Sequence, residues 1–160
     1  MRRILAFAIL ALAVALSLPL HSNSSNPTPA ASPAAENWIA AWNSHDPDKW
    51  TTYFTSDIYY EDVTFGEISH GSAEARKFAA SFFADVPDLK LERVEAHVDG
   101  NHGSIEWILA GTDKGIFKTG KQFKVRGVSI ITITNGKISR SLDYYDLATI
   151  MKQVGVLPAS

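Results

Sequence analysis

The chain has 160 residues, 46% hydrophobic and 20% charged, with a formal charge of −2 and no cysteine. These proportions suit one globular domain and exclude a disordered chain. The lack of cysteine excludes disulfides and a cysteine-linked lipid, and the lack of a basic run argues against a nucleic-acid partner.

In chain order, Met-Arg-Arg and the apolar run Ile4 to Leu18 have the form of an export signal. Residues 1–24 are expected to be that signal, residues 25–34 a Ser/Asn/Pro/Ala linker, and residues 35–158 the folded domain. The mature protein is therefore expected to be exported, periplasmic or secreted, and free of the membrane. An uncleaved anchor is the alternative, although the run is short of the about 20 residues a span needs.

AENWIAAWNSH spaces Trp38 and Trp42 one helical turn apart. A second helix starts at Asp46 as N-cap with Pro47 in its first turn. SDIYYEDVTF alternates and reads as a strand, and GEISHG as a loop. SAEARKFAASFFADV is a third helix, stopped by Pro87. LKLERVEAHV, SIEWILAGTD, KQFKVRGVSIITIT and KISRSLDYY then read as long antiparallel strands, and LATIMKQV as a short final helix. The class is α+β. A cone-shaped, barrel-like fold is expected, with three N-terminal helices packed on a curved antiparallel sheet and a short C-terminal helix.

A curved sheet around helices leaves a cavity suited to a small ligand. Asp146, directly before the last helix, reads as its N-cap. Asp143 depends on the hairpin register. A two-residue Asn135-Gly136 turn pairs Thr134 with Lys137 and sets Asp143 opposite Val128, diagonal to Arg126. A three-residue loop pairs Ile133 with Lys137 and sets Asp143 opposite Gly127, beside Ser129. Both turns suit the sequence, and a one-residue slip reverses every side chain. Asp62 shares a strand face with Tyr60 and Thr64; among aromatics its pKa would rise, which suits proton transfer. In water it would be an ordinary strand-end acid. Trp107 reads as a cavity wall or as core, and His70 as a loop residue near the site or on the surface. Trp38, Trp42, Trp50, Phe78 and Phe82 read as core stripes. The five histidines lack metal-ligand spacing, so no metal is expected.

Taken together, AAWNSHDPDKWTTYFTSDIYYEDVTF, HGSAEARKF, EWILAGTDKG and NGKISRSLDYYDLATIMKQVG resemble the SnoaL-like polyketide cyclases of the nuclear transport factor two-like superfamily. The resemblance implies that Asp143 is a general base, removing a carbon-bound proton before an aldol ring closure, without a cofactor. It implies a small, mostly apolar carbonyl ligand, with Trp107, Tyr60, Ser129 and His70 lining the pocket, and a homodimer through the outer sheet face. The cyclases carry glutamine and histidine where this chain has Gly127 and Ser129. The related ketosteroid isomerases imply Asp62 as an alternative base, but their oxyanion-binding tyrosine falls at Trp38. The epoxide hydrolases imply an arginine and an aspartate within Trp107 to Leu109, where neither occurs. A non-catalytic ligand-binding or interaction domain of the same fold is the alternative function.

Overall fold

The structure, a computed structural model, describes residues 33–158. The expected signal and most of the linker lie outside the described residues. Pro33 and Ala34, assigned to the linker from sequence, instead belong to the first turn of α1 (Pro33–Trp42), where Ala34 is buried.

The elements that follow are α2 (Pro47–Thr51), β1 (Phe54–Asp62), β2 (Glu67–His70), α3 (Gly71–Asp85), β3 (Lys90–Asp99), β4 (His102–Thr112), β5 (Gln122–Thr134), β6 (Lys137–Tyr145) and α4 (Leu147–Gln153). Two helix starts follow from side-chain chemistry. Asp46 accepts the backbone N–H groups of Asp48 and Lys49 at 2.9 and 3.2 Å, and Asp146 accepts that of Ala148 at 2.9 Å. Each carboxylate thus satisfies N–H groups that the first helical turn leaves free. GEISHG is not a loop: Glu67–His70 pairs antiparallel with β1.

The sheet has six strands in the order β2-β1-β6-β5-β4-β3. It stays open, with β2 and β3 as edges, and does not close into a barrel. Nor is it wholly antiparallel, because β1 and β6 run parallel, with Asp62 beside Asp143. The reason lies in chain order. β6 returns from the antiparallel run beside β5, and its other edge meets a strand laid down before α3.

The β5–β6 hairpin combines features of both expected registers. Asn135 and Gly136 form a two-residue turn with positive φ of 52° and 76°, the signature of a type I′ hairpin. Thr134 accordingly pairs with Lys137 and Ile133 with Ile138. Ser139 is then an extra residue, so Thr132 pairs with Arg140 and Ser129 lies directly opposite Asp143. The bulge, rather than a longer loop, turns Asp143 toward the concave face.

That face carries the core. On β4 and β5 the buried positions alternate through Ile105, Trp107 and Leu109 and through Phe123, Val125, Ser129 and Ile131. Opposite them, Trp42 of α1 packs among Trp38, Trp50, Tyr60 and Phe82, with ring centroids 5.3–6.2 Å apart. Gly127 is required where it stands, since a Cβ there would overlap the six-membered ring of Trp107. Gly127→Ala is expected to destabilise the domain by about 1–3 kcal/mol through overpacking. Urea unfolding of the two proteins checks this, and Trp107→Leu in the same chain should recover part of the loss.

Candidate active site

Parallel pairing of β1 with β6 joins two mirrored triplets, Tyr60-Glu61-Asp62 and Asp143-Tyr144-Tyr145. Within each, the acid and the outer tyrosine share a face because side chains alternate along a strand. The hydroxyls then cross between strands. Tyr60 donates to Asp143 Oδ2 at 2.6 Å, and Tyr145 donates to Asp62 Oδ2 at 2.7 Å. Asp62 and Asp143 are 3% and 4% exposed.

Asp143 has a second layer of donors. Ser129 donates to Oδ1 at 2.6 Å and Ser141 to the same oxygen at 3.3 Å. Each serine is itself held by an indole N–H, Ser129 by Trp107 at 2.9 Å and Ser141 by Trp38 at 3.1 Å. The two indoles are stacked, with centroids 5.9 Å apart. Asp62 accepts one further bond, from the Phe65 backbone N–H at 3.1 Å.

Burial dominates the electrostatics. It pushes Asp143 up to about 7 against the opposing bonds from Ser129 and Tyr60, and the charge of Asp62 adds to the rise. Burial also raises Asp62, opposed first by the bond from Tyr145. Both phenols are pushed above the usual tyrosine range by burial and then by the carboxylates they face. The causes are general: a low-dielectric setting penalises every anion, and donors to the carboxylate recover only part of the penalty.

The acids face a small interior cavity lined by Trp38, Trp42, Phe78, Phe82, Leu91, Trp107 and Leu109 together with the two tyrosines. Its free volume is about 20 Å³, room for about one water. Beside it lies an open groove of about 450 Å³, lined by Phe65, Glu67, Ile68, Lys77, Ser81 and Ile116 among others. Asp62, Phe78 and Phe82 border both spaces, and the two phenyl rings are stacked 6.1 Å apart.

Of the residues singled out from sequence, Asp143, Asp62, Tyr60, Trp107 and Ser129 come together here. His70 does not: it is exposed at the end of β2, with its ring edge-on to Tyr59. Sequence reading missed Tyr145, Ser141 and the polar role of Trp38. The mirrored Tyr-x-Asp and Asp-x-Tyr spacing was a usable signal for Tyr145, but only once the two strands are known to be parallel. Among the described residues no group of three or more His, Asp or Glu side chains is arranged to hold a metal ion.

A cone of helices on a curved sheet, with buried acids inside, defines a class of small α+β domains. The chain belongs to the SnoaL-like domain family, whose model matches residues 35–141. It is 29% identical over 125 residues to cyclase aurE of Calcarisporium arbuscula, covering 77% of this chain and 92% of that protein. Among solved structures, a hypothetical protein of ketosteroid isomerase-like fold from Catenulispora acidiphila, in complex with trimethylamine, superposes with a TM-score of 0.73. Identity there is 25%, over 79% of this chain and 95% of the other. A protein assigned to the SnoaL-like polyketide cyclases from Jannaschia sp. CCS1 gives 0.65 at 18% identity, over 81% and 99%, which shows a shared fold.

The raised acid has a consequence for stability. A carboxyl whose folded pKa lies above its unfolded value favours folding while protonated, and that advantage is lost as pH rises through the folded pKa. For Asp143 the loss falls between about pH 4 and 7 and amounts to a few kcal/mol, at about 1.4 kcal/mol per pKa unit. Asp143→Asn removes this slope. Thermal melts from pH 4 to 8 should show wild type losing stability relative to the variant as pH rises, and parallel curves would contradict the assignment.

Proposed function

We propose that this domain is a cofactor-free cyclase or isomerase in which Asp143 removes a carbon-bound proton from a small, mostly apolar carbonyl compound. The observation that carries the reading is a buried carboxylate, poised near neutrality, facing an aromatic cavity. A general base works best when its pKa lies near the operating pH. Tyr60 and Ser129 orient the carboxylate, and Trp107 fixes Ser129 in turn. Abstraction next to a carbonyl gives an enolate, which can attack a second carbonyl to close a ring or take back a proton elsewhere. The similarity to a cyclase along most of both chains supports the first outcome.

With about 20 Å³ free, the interior admits such a compound only when aromatic side chains move. Phe78 and Phe82, which divide the cavity from the groove, are the side chains whose rotation would join them. The same filled interior favours a second reading, a ligand-binding domain of this fold without catalysis. Export belongs to the proposal on the strength of the run Ile4 to Leu18. So does pairing of two copies through the outer sheet face, where Ile130 and Tyr144 are exposed.

A direct test is deuterium uptake next to the carbonyl of 2-tetralone in heavy water, followed by proton NMR. Asp143→Asn should slow the catalysed exchange roughly 10²–10⁴-fold. Equal rates in the two proteins would remove Asp143 from catalysis. Tryptophan quenching by the ketone with no exchange in wild type would favour the binding domain.

A further inference from the structure

A base alone does not make an enolate, because the charge that leaves carbon collects on oxygen and needs a hydrogen-bond donor there. Apart from the two acids, five side chains lining the interior cavity carry a polar hydrogen: Trp38, Trp42, Tyr60, Trp107 and Tyr145. Four of these hydrogens are already placed. The indoles of Trp38 and Trp107 donate to Ser141 and Ser129, and the phenols of Tyr60 and Tyr145 donate to Asp143 and Asp62. The fifth, on Trp42 Nε1, is buried and has no acceptor among the described residues.

A buried donor without an acceptor is uncommon in a native fold, since it gives up its bond to water and receives nothing in return. Trp42 is 3% exposed, and the rings of Trp50, Phe78, Phe82 and Phe83 stand edge-on to it with centroids 5.3–6.3 Å away. An aromatic face is at best a weak acceptor. Trp50 Nε1 and Thr55 Oγ1 are also buried without a partner, but neither residue borders the cavity. Trp42 alone joins an unspent donor to a place on the wall shared with Asp143. We propose that Trp42 Nε1–H is the donor that binds the ligand's carbonyl oxygen in this cavity and holds it as negative charge builds there. The catalytic half of this rests on the reading of Asp143 as base, and the binding half does not.

Trp42 reaches the cavity from α1 and Asp143 from β6. A flat ketone between helix and sheet can therefore set its oxygen toward one and its acidic carbon toward the other. Asp143 takes the proton from carbon, the C–H electron pair becomes the C=C bond of the enolate, and the carbonyl π pair moves onto oxygen. The indole keeps its own proton throughout, and its hydrogen bond strengthens as the oxygen becomes an anion. An interaction that is stronger in the transition state than in the bound ketone speeds the step. It also selects the ligand, because a hydrocarbon ring of the same shape leaves the N–H unpaired.

Binding and rate are read separately. The full chain, labelled with nitrogen-15 in its four tryptophans, gives one indole N–H resonance for each, and that of Trp42 is assigned by its loss in Trp42→Phe. Addition of 2-tetralone should move the Trp42 resonance downfield, whereas tetralin, the same ring without the oxygen, should not. The shift should persist in Asp143→Asn, which lacks the base. No shift, or equal shifts with the two compounds, overturns the proposal. The rate is measured after replacing Trp42 by 3-benzothienylalanine, an isostere in which sulfur takes the place of the N–H. Deuterium exchange of 2-tetralone should slow roughly 10²-fold. The ligand-free melting temperature should be no lower than in wild type, since only an unsatisfied donor is lost. The same replacement at Trp50 should leave the rate unchanged. A wild-type rate with the isostere at position 42, or equal losses at both positions, would overturn the catalytic role of the N–H. An oxygen-dependent shift in a wild-type protein that exchanges no deuterium would support the binding half, and would overturn the catalytic half together with the reading of Asp143.

Discussion

The parallel contact between β1 and β6 is the constraint on which the site depends. It brings Tyr60 and Asp62 against Asp143 and Tyr145, residues some eighty positions away along the chain, and it places β6 between two neighbours in the sheet. Parallel strands require a long connection. Here α3 and the run of strands β3 to β5 supply it, and the same segments cover the acids. Without that contact each tyrosine would lack the carboxylate it donates to, and each carboxylate would be a half-solvated group on a sheet edge.

Two buried acids are a burden that a sheet accepts only with compensation, since an unpaired buried anion costs several kcal/mol or takes up a proton. Crossed phenols, two serines and the indoles behind them provide part of it. The exchange at Gly127 fits this arrangement. A larger residue there would displace Trp107, the indole that fixes Ser129 against Asp143. The glycine is therefore a packing requirement of the relay, and the polarity that the cyclase resemblance leads one to expect at that position reaches Asp143 through Trp107 and Ser129 instead. Closure by aromatic rings leaves the carboxylates little contact with water, at the cost of needing motion before a ligand enters.

Local chemistry made much of the fold legible. Asp46-Pro47, Asp146 before an apolar helix, and Asn135-Gly136 between alternating strands each name their structure through capping or turn geometry. The bulge at Ser139 was not legible, because neither Ser139 nor its neighbours differ from residues that pair regularly, and the face of Asp143 hangs on it. The parallel partner of β1 was equally hidden. β-rich residues state that a strand exists and not which distant strand adjoins it. Hence Asp62 and Asp143 read as rival bases in the sequence, while the structure sets them side by side. His70 was drawn toward the site by its position before α3, yet the β2 strand beneath it turns its ring to Tyr59 on the outside.

The filled interior also constrains what can enter. Phe78 lies 4.9 Å from the ring of Tyr60 and 6.3 Å from that of Trp42, and swinging it away gives up both contacts. Aromatic pairs of this kind contribute about 0.5–1.5 kcal/mol each beyond their buried area. A ligand recovers that loss if it presents a flat, apolar ring in place of the phenyl group. A flexible chain recovers less and loses rotational freedom as well. Such a ring would then lie against Asp143, with Asp62 on the side of the groove. The side chains that must move to admit a ring are thus the ones that stand between the acids and the groove, so entry of a ligand and opening of the acids are one displacement.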